Sequence, residues 1–556
     1  MKRERTLREQ LDARWGQLKA ERSSWISRWQ ELSELFLPGA GRFFVEDRNR
    51  GDDRHRRILD NTATRSLRIL SAGLMSGASS PARPWFRLTT SSPDLDESDG
   101  VKRWLADVTR LMQMVFARSN VYRALHQMYN ELGVFGGACA VVAEDFDSVI
   151  HLHVLTAGEY CIATDSRGRP DTLYREFQMP VAQIVEEFGL ENCSLTVKNL
   201  YDNGNLDQWI TVMHVVEPRR KRDITKRDGK NMPYRSIYYE SGTNSKDVLR
   251  ESGYRRFNVL APRWDVVGGD IYGTSPAMEA LGDNLQLQAQ QEDKSLAIKY
   301  QVTPPIILPL TAKDAEKDLL PGGTTYADIQ GGGNAARSAW EVRTDINHLL
   351  LDMQDVRERI RSSFFVDVFL MFAGGGDHQI TATEAQMLRE EKMMVMGPVM
   401  ERLDNELYKP LIDITFEIMQ AAGILPPPPQ ELQGRDLNVE FVSVLAQAQR
   451  AIAMGATDQH LAAVINLAQA RPDVLDKLDL DKYVDLSADL RGVDPELTLP
   501  ADVVAAIRQQ RADQQAAMQK AAMIQQGADA AAKLGGIDTS RPNAATDLMR
   551  GLQGYT

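Results

Sequence analysis

A mainly helical α+β fold is predicted by three features of the sequence. Long stretches place apolar residues three and four positions apart, residues 149–265 alternate apolar and polar side chains between turn signals, and an excursion from Gly268 to Asp367 goes out on one helix and returns on another. Helices should therefore frame a small antiparallel sheet.

Residues 6–36 read as one amphipathic helix, with Leu7, Leu11, Trp15, Leu18, Trp25, Trp29, Leu32 and Phe36 in heptad-like spacing. Arg22 interrupts the stripe, and Pro38-Gly39 ends it. After a charged stretch that reads as a surface loop, residues 60–88 give a helix that Asn61 or Thr62 can cap. Leu67, Leu70 and Leu74 form its buried face, and a Ser/Pro turn leads to a short strand. A third helix is expected over 98–118. A fourth, from Val121, runs into a glycine cluster and a strand of small and β-branched residues, GVFGGACAVVAED. Within 149–265, turns are expected at Arg167-Gly168, Asn203-Gly204 and Asp228-Gly229.

The excursion has clear punctuation. Ser275 is placed as an N-cap, Pro276 at the first helical position and Glu279 in the first turn. The outgoing helix spans about 37 Å, and its middle, from Gln286 to Lys294, is polar almost all round, so it should face something wet. The returning helix carries one apolar stripe, Ile346, Leu349, Met353, Val356, Ile360 and Phe364. In a lone chain such a stripe lacks an obvious partner, so copies of the chain arranged as staves of a ring are expected to cover it.

Beyond it, VFLMFAGGGDHQI reads as a mobile loop over 368–380, because consecutive glycines are costly in a helix interior. Thr381 and Glu384 fit a capping box for a long helix to about Gln420, with distortions expected near Pro398 and Pro410. A strand, LNVEFVSV, follows. From residue 446 the chain reads as Ala- and Gln-rich helix needing neighbours, with the last residues disordered in isolation.

Composition narrows the function classes. The 556 residues, 43% hydrophobic, suffice for roughly two to four domains. No run of about 18 apolar residues suggests a membrane span, and the amino terminus lacks an apolar signal core, which points to a cytoplasm. A net charge of −12 argues against a protein that grips nucleic acid over its whole surface. Cys139, Cys161 and Cys193 are read as buried thiols. His151 and His153 share a strand face but have no third ligand nearby, so no metal is assigned and no cofactor is expected. No phosphate-binding loop, H-E-x-x-H or G-x-S-x-G string occurs. The one dense basic run, RRKRDITKR, contains Arg219, Arg220, Lys221 and Arg222; it reads as a solvated loop or subunit contact, with phosphate contact to passing DNA as the alternative.

Six strings in register, LSAGLMSGASSPARPWFRL, GVFGGACAVVAED, GGDIYGTSPAMEALGDNLQLQ, TPPIILP, TATEAQMLREE and VEFVSVLAQAQR, resemble the portal (head-to-tail connector) proteins of short-tailed double-stranded DNA bacteriophages. The resemblance covers roughly residues 5–525; it departs at Val444, where a proline is expected, and the C-terminal tail matches nothing specific. It implies a non-enzymatic ring of about twelve subunits at one capsid vertex, around a channel for double-stranded DNA. Large terminase subunit, tail adaptor, major capsid and scaffolding proteins are the implied partners, with no membrane, and the implied location is the virion after assembly in the host cytoplasm. Carried onto this chain, the resemblance makes 1–275 a wing with a β-rich subdomain, 276–301 and 345–367 stem helices, 302–344 a clip, 368–380 a channel loop, 381–445 a long kinked wing helix and strand, and 446–556 a crown or barrel. Channel-facing residues would be Gln288 and Glu292 on the stem and Phe372, Gly374, Gly375, Gly376, Asp377 and His378 in the loop. Two other classes stay open on the residues alone: a DNA-packaging nuclease or processing enzyme, and a coiled-coil scaffold without a channel.

Overall fold

The computed structural model describes residues 6–44, 56–90, 98–226, 228–242, 248–309, 323–327, 337–338, 346–372, 396–432, 437–442, 460–468, 471–491 and 501–535. It divides into two compact units, Met1–Gly455 and Ala456–Thr556.

Helix α1 (Leu7–Phe36) starts in a capping box, with the Thr6 hydroxyl accepting from the Glu9 amide and the Glu9 carboxylate from the Thr6 amide. Its stripe serves two cores. Leu11 and Leu18 pack with Tyr174, Met213, Val215, Ile237 and Tyr239, whereas Trp29, Leu32, Leu35 and Phe36 enter the main core. Arg22 falls between them, buried, its guanidinium donating to the carbonyls of Gly158 and Tyr160. The charge that interrupts the heptad thus satisfies backbone that neither core could.

Helix α2 (Thr62–Gly77) buries Leu67, Leu70 and Leu74, but neither expected residue caps it. The Asp60 carboxylate does so, accepting from the Thr62 amide at 2.9 Å and hydroxyl at 2.5 Å. Strand β1 (Phe86–Thr90) pairs antiparallel with Leu437–Phe441, and an Arg87–Glu440 ion pair at 2.5 Å crosses the two strands. Helices α3 (Asp99–Arg118) and α4 (Val121–Phe135) follow. Gly136 ends α4 at φ 73, and its backbone lies so close to the Gly273 carbonyl that a Cβ has no room.

Two antiparallel sheets come next. The smaller places β2 (Cys139–Asp145) between β3 (Val149–Leu155) and Val259–Leu260. The larger runs in sequence order through Tyr160–Thr164, Pro170–Pro180, Trp209–Pro218, Tyr234–Glu240 and Arg250–Tyr254. The block expected as strands and turns also holds two helices, Val181–Phe188 and Leu195–Asp202. Val181, Ile184 and Phe188 have the helical period and are buried, so Asn203-Gly204 closes a helix and does not turn a hairpin.

Ser275 caps a helical turn at Pro276–Glu279 as expected, accepting from the Met278 amide at 3.1 Å. Helix α5 (Leu281–Val302) then leads to a small sheet in which Ile306–Pro309 lies between Thr324–Ala327 and Arg337–Ser338. Helix α6 (Ile346–Ser363) returns along α5. The structure corrects the reading of its stripe. Met353, Val356, Ile360 and Phe364 are all 0% exposed within this one chain, because α6 packs on α5 and α2. Phe365 breaks the helix at φ 54, and helix α7 (Val366–Phe372) occupies positions expected to be loop; the apolar run there docks on the body through Val368 and Phe369.

The helical residues 396–403 include Pro398, whereas the capping pair Thr381 and Glu384 lies outside the described residues. The distortion expected near Pro410 is a π-helical turn, Asp404–Tyr408, just before α8 (Lys409–Ala421). Proline has no N–H for the preceding turn, and widening that turn accommodates the loss. The C-terminal unit contains Leu480–Arg491 and Ala501–Gly535, joined by an Arg508–Asp481 ion pair.

Gly73 on α2 faces the Phe369 ring of α7 with no space for a Cβ, whereas Gly100 in α3 faces open space. Gly73→Ala should lower stability by about 1–3 kcal/mol in denaturant unfolding, while Gly100→Ala should leave it unchanged or raise it.

Candidate nucleic-acid interface

The root of the α5–α6 pair is a buried polar clasp. The Gln288 side-chain oxygen accepts from the amides of Leu59 at 2.7 Å and Asp60 at 2.9 Å; its NH2 donates to the Asp60 carbonyl at 3.0 Å and to the Asn284 Oδ1 at 2.9 Å. Asp60 turns its carboxylate to Arg357 of α6, which donates from Nε at 3.1 Å and Nη2 at 2.8 Å. Burial opposes ionisation of Asp60, but the Thr62 hydroxyl, Arg357 and the Thr62 amide outweigh it and hold the carboxyl below its ordinary value. Gln288 is only 7% exposed, so it cannot line a channel; that expectation gives way to a structural role. Glu292, one turn further, is exposed.

Phe372 is the last residue of α7, on helical backbone. Gly374, Gly375, Gly376, Asp377 and His378 lie outside the described residues.

The basic run divides. Arg219 pairs with Glu251 at 2.7 Å and donates to the Ser252 carbonyl at 3.1 Å, which removes it as a phosphate ligand. Arg220, Lys221 and Arg222 are exposed in the loop between Trp209–Pro218 and Tyr234–Glu240.

His151 and His153 do share a face of β3, their ring centroids 4.7 Å apart. Asn120 donates toward the Nε2 of His151 at 3.3 Å. Burial, then the charges of Arg175 and His151, pushes His153 down to about 4. Among the described residues, no group of three or more His, Cys, Asp or Glu side chains could hold a metal ion. Cys139, Cys161 and Cys193 are buried free thiols, and burial raises all three, Cys161 and Cys193 to about 11.

Sequence reasoning missed the most connected ion pair among the described residues. Arg263 meets Glu406, on the π-helical turn, through its amide at 3.0 Å, Nε at 3.1 Å and Nη2 at 2.6 Å, and also donates to the carbonyls of Gly168 at 2.7 Å and Ile271 at 3.3 Å. No motif marks a pair so far apart in the chain. The distortion expected near Pro410, four residues after Glu406, was the nearest sequence signal.

In a double-mutant cycle, Asp60→Ala and Arg357→Met should show a coupling of about 0.5–3 kcal/mol in unfolding free energy. Because folding lowers the Asp60 pKa, the coupling is present in full above its ordinary value of 3.8 and fades as pH falls below it.

The family described as bacteriophage head to tail connecting protein matches residues 8–498. A "Probable portal protein" of Bordetella phage BPP-1 is 58% identical over 553 residues, covering 100% of both chains. The "Portal protein" of Salmonella phage epsilon15 is 42% identical over 544 residues, 98% of each chain. Among solved structures, the neck of an empty GTA particle computed with C6 symmetry aligns at a TM-score of 0.33 and 12% identity, over 76% of this chain and 93% of that one, too remote a likeness to bear on the argument. Matched from end to end by both phage relatives, the chain belongs to the bacteriophage head to tail connecting protein family.

Proposed function

We propose that the chain is the repeating unit of a portal ring, with about twelve copies enclosing the passage for double-stranded DNA at one capsid vertex during packaging and ejection. The observation that carries this reading is whole-length identity of 58% to a protein named as a probable portal protein. The α5–α6 pair supports the ring. Its root is clasped to its own body, yet Leu285, Leu296, Ile298 and Val302 of α5 and Leu350 and Leu351 of α6 are exposed, and neighbouring copies would cover them. On this reading the pair is the stem, 302–344 the clip that meets terminase and the tail adaptor, 1–275 and 381–445 the wing, and 446–556 the crown.

The work is mechanical and electrostatic, with no bond made or broken by this chain. About twelve copies at −12 each carry a formal charge of roughly −144, which keeps the wall from gripping phosphates and lets the duplex slide. Glu292 contributes to that wall, and the glycine-rich stretch at 373–377 supplies the adaptable contact with DNA.

Electron microscopy and native mass measurement of the purified chain should show annular particles. Deleting residues 373–377 should leave those annuli intact and reduce DNA packaging or retention. A deletion phage that fills and holds its genome normally would remove the loop from this account.

A further inference from the structure

Two turns on this chain each hold one bare apolar side chain, the first among acidic residues and the second after three consecutive basic ones, with Asp223 between these and Ile224. The first joins β2 to β3. Phe146 at its tip is 108% exposed, with exposed Glu144 and Asp147 beside it. The turn is tightly held: the Asp145 carboxylate accepts from the Ser148 amide at 3.1 Å and from the Ser148 hydroxyl, which also reaches the Ile150 carbonyl at 3.0 Å. Val149 sits at φ 72, a strained conformation for a β-branched residue. Strain of this kind persists only where the surroundings over-determine it, which marks the turn as a held piece of backbone.

The second is the basic loop. Ile224 is 81% exposed and follows the exposed Arg220, Lys221 and Arg222. This loop is also fastened, since the Asp223 carboxylate accepts from Thr225 at 3.1 Å through its amide and at 2.6 Å through its hydroxyl. The Asp223 amide donates to Asn231 at 3.0 Å, and Asn231 donates to Asp228 at 2.6 Å.

Within one chain both tips face solvent, so neither covers the other. An exposed phenyl ring on a rigid turn costs little entropy to dock, and charges around it set orientation and exclude wrong partners. A head-to-tail ring needs two different, mutually complementary patches on every subunit. We propose that the β2–β3 turn of one protomer docks on the basic loop of the next copy, with Phe146 against Ile224 and with Glu144 and Asp147 paired to Arg220, Lys221 and Arg222. This contact rests on the ring reading and adds to it a specific heterologous interface outside the α5–α6 pair.

The experiment compares ring assembly by native mass measurement across a concentration series for wild-type chain, Phe146→Ser, Asp147→Lys, Lys221→Glu and the Asp147→Lys/Lys221→Glu pair. All substitutions lie on exposed tips, and circular dichroism checks that each variant is folded. Phe146→Ser and each charge reversal should raise the concentration for half-assembly about tenfold, and the paired reversal should restore at least part of the loss. Higher salt should weaken the wild-type contact. Rings that form equally well in every variant overturn the contact while leaving the ring reading intact; a wild-type chain that forms no ring removes both. Loss without rescue in the pair, or Lys221→Glu lowering DNA binding with assembly unchanged, assigns the loop to another partner and also overturns it.

Discussion

The structure depends first on the clasp that unites Gln288, Asp60 and Arg357. A helix pair that leaves the body and returns must be anchored at its root, or each helix would be a marginal element on its own. Here one amide side chain satisfies three backbone groups of residues 59 and 60, and one carboxylate both caps α2 and pairs with α6. Removing Arg357 would leave the half-buried Asp60 carboxylate with only its Thr62 bonds, so both partners contribute to the geometry. Above the clasp, Met353, Val356, Ile360 and Phe364 continue the attachment through apolar burial, with Phe364 packed on Phe36 of α1 at 5.8 Å between ring centroids.

A second tier makes the body behind the clasp rigid. Arg263 and Glu406 connect the loop that follows Val259–Leu260 to the π-helical turn, the hydroxyls of Ser79, Tyr129 and Tyr408 form a buried chain at 2.6 and 2.8 Å, and β1 recruits a strand from near residue 440. These contacts join residues far apart in sequence.

The sequence was most readable where one element carries its own signal. The capped start at Ser275, the stripes of α1 and α2, and most strands of 149–265 follow from local period and turn chemistry. It was least readable where a distant partner decides. Gln288 reads as polar surface in a run of glutamines, but the backbone of residues 59 and 60, up to 229 residues away, takes three of its hydrogen bonds and Asn284 the fourth. The α6 stripe pointed to a partner and could not say that the partners were α5 and α2 of the same chain. Arg219 and Arg220 look alike in sequence; only the fold places Glu251 beside the first. Of the candidate channel residues, Glu292 alone has a described and exposed side chain, and the glycine loop lies beyond the described residues.

The central claim is that the helix pair is rooted in its own subunit's core and that assembly adds to this core without creating it. Hydrogen–deuterium exchange on unassembled chain, at concentrations below ring formation, tests it most directly. Amides of residues 353–364 should already be strongly protected there, and Gln288→Ala should lower that protection. Rapid exchange across the whole returning helix until rings form would contradict the account.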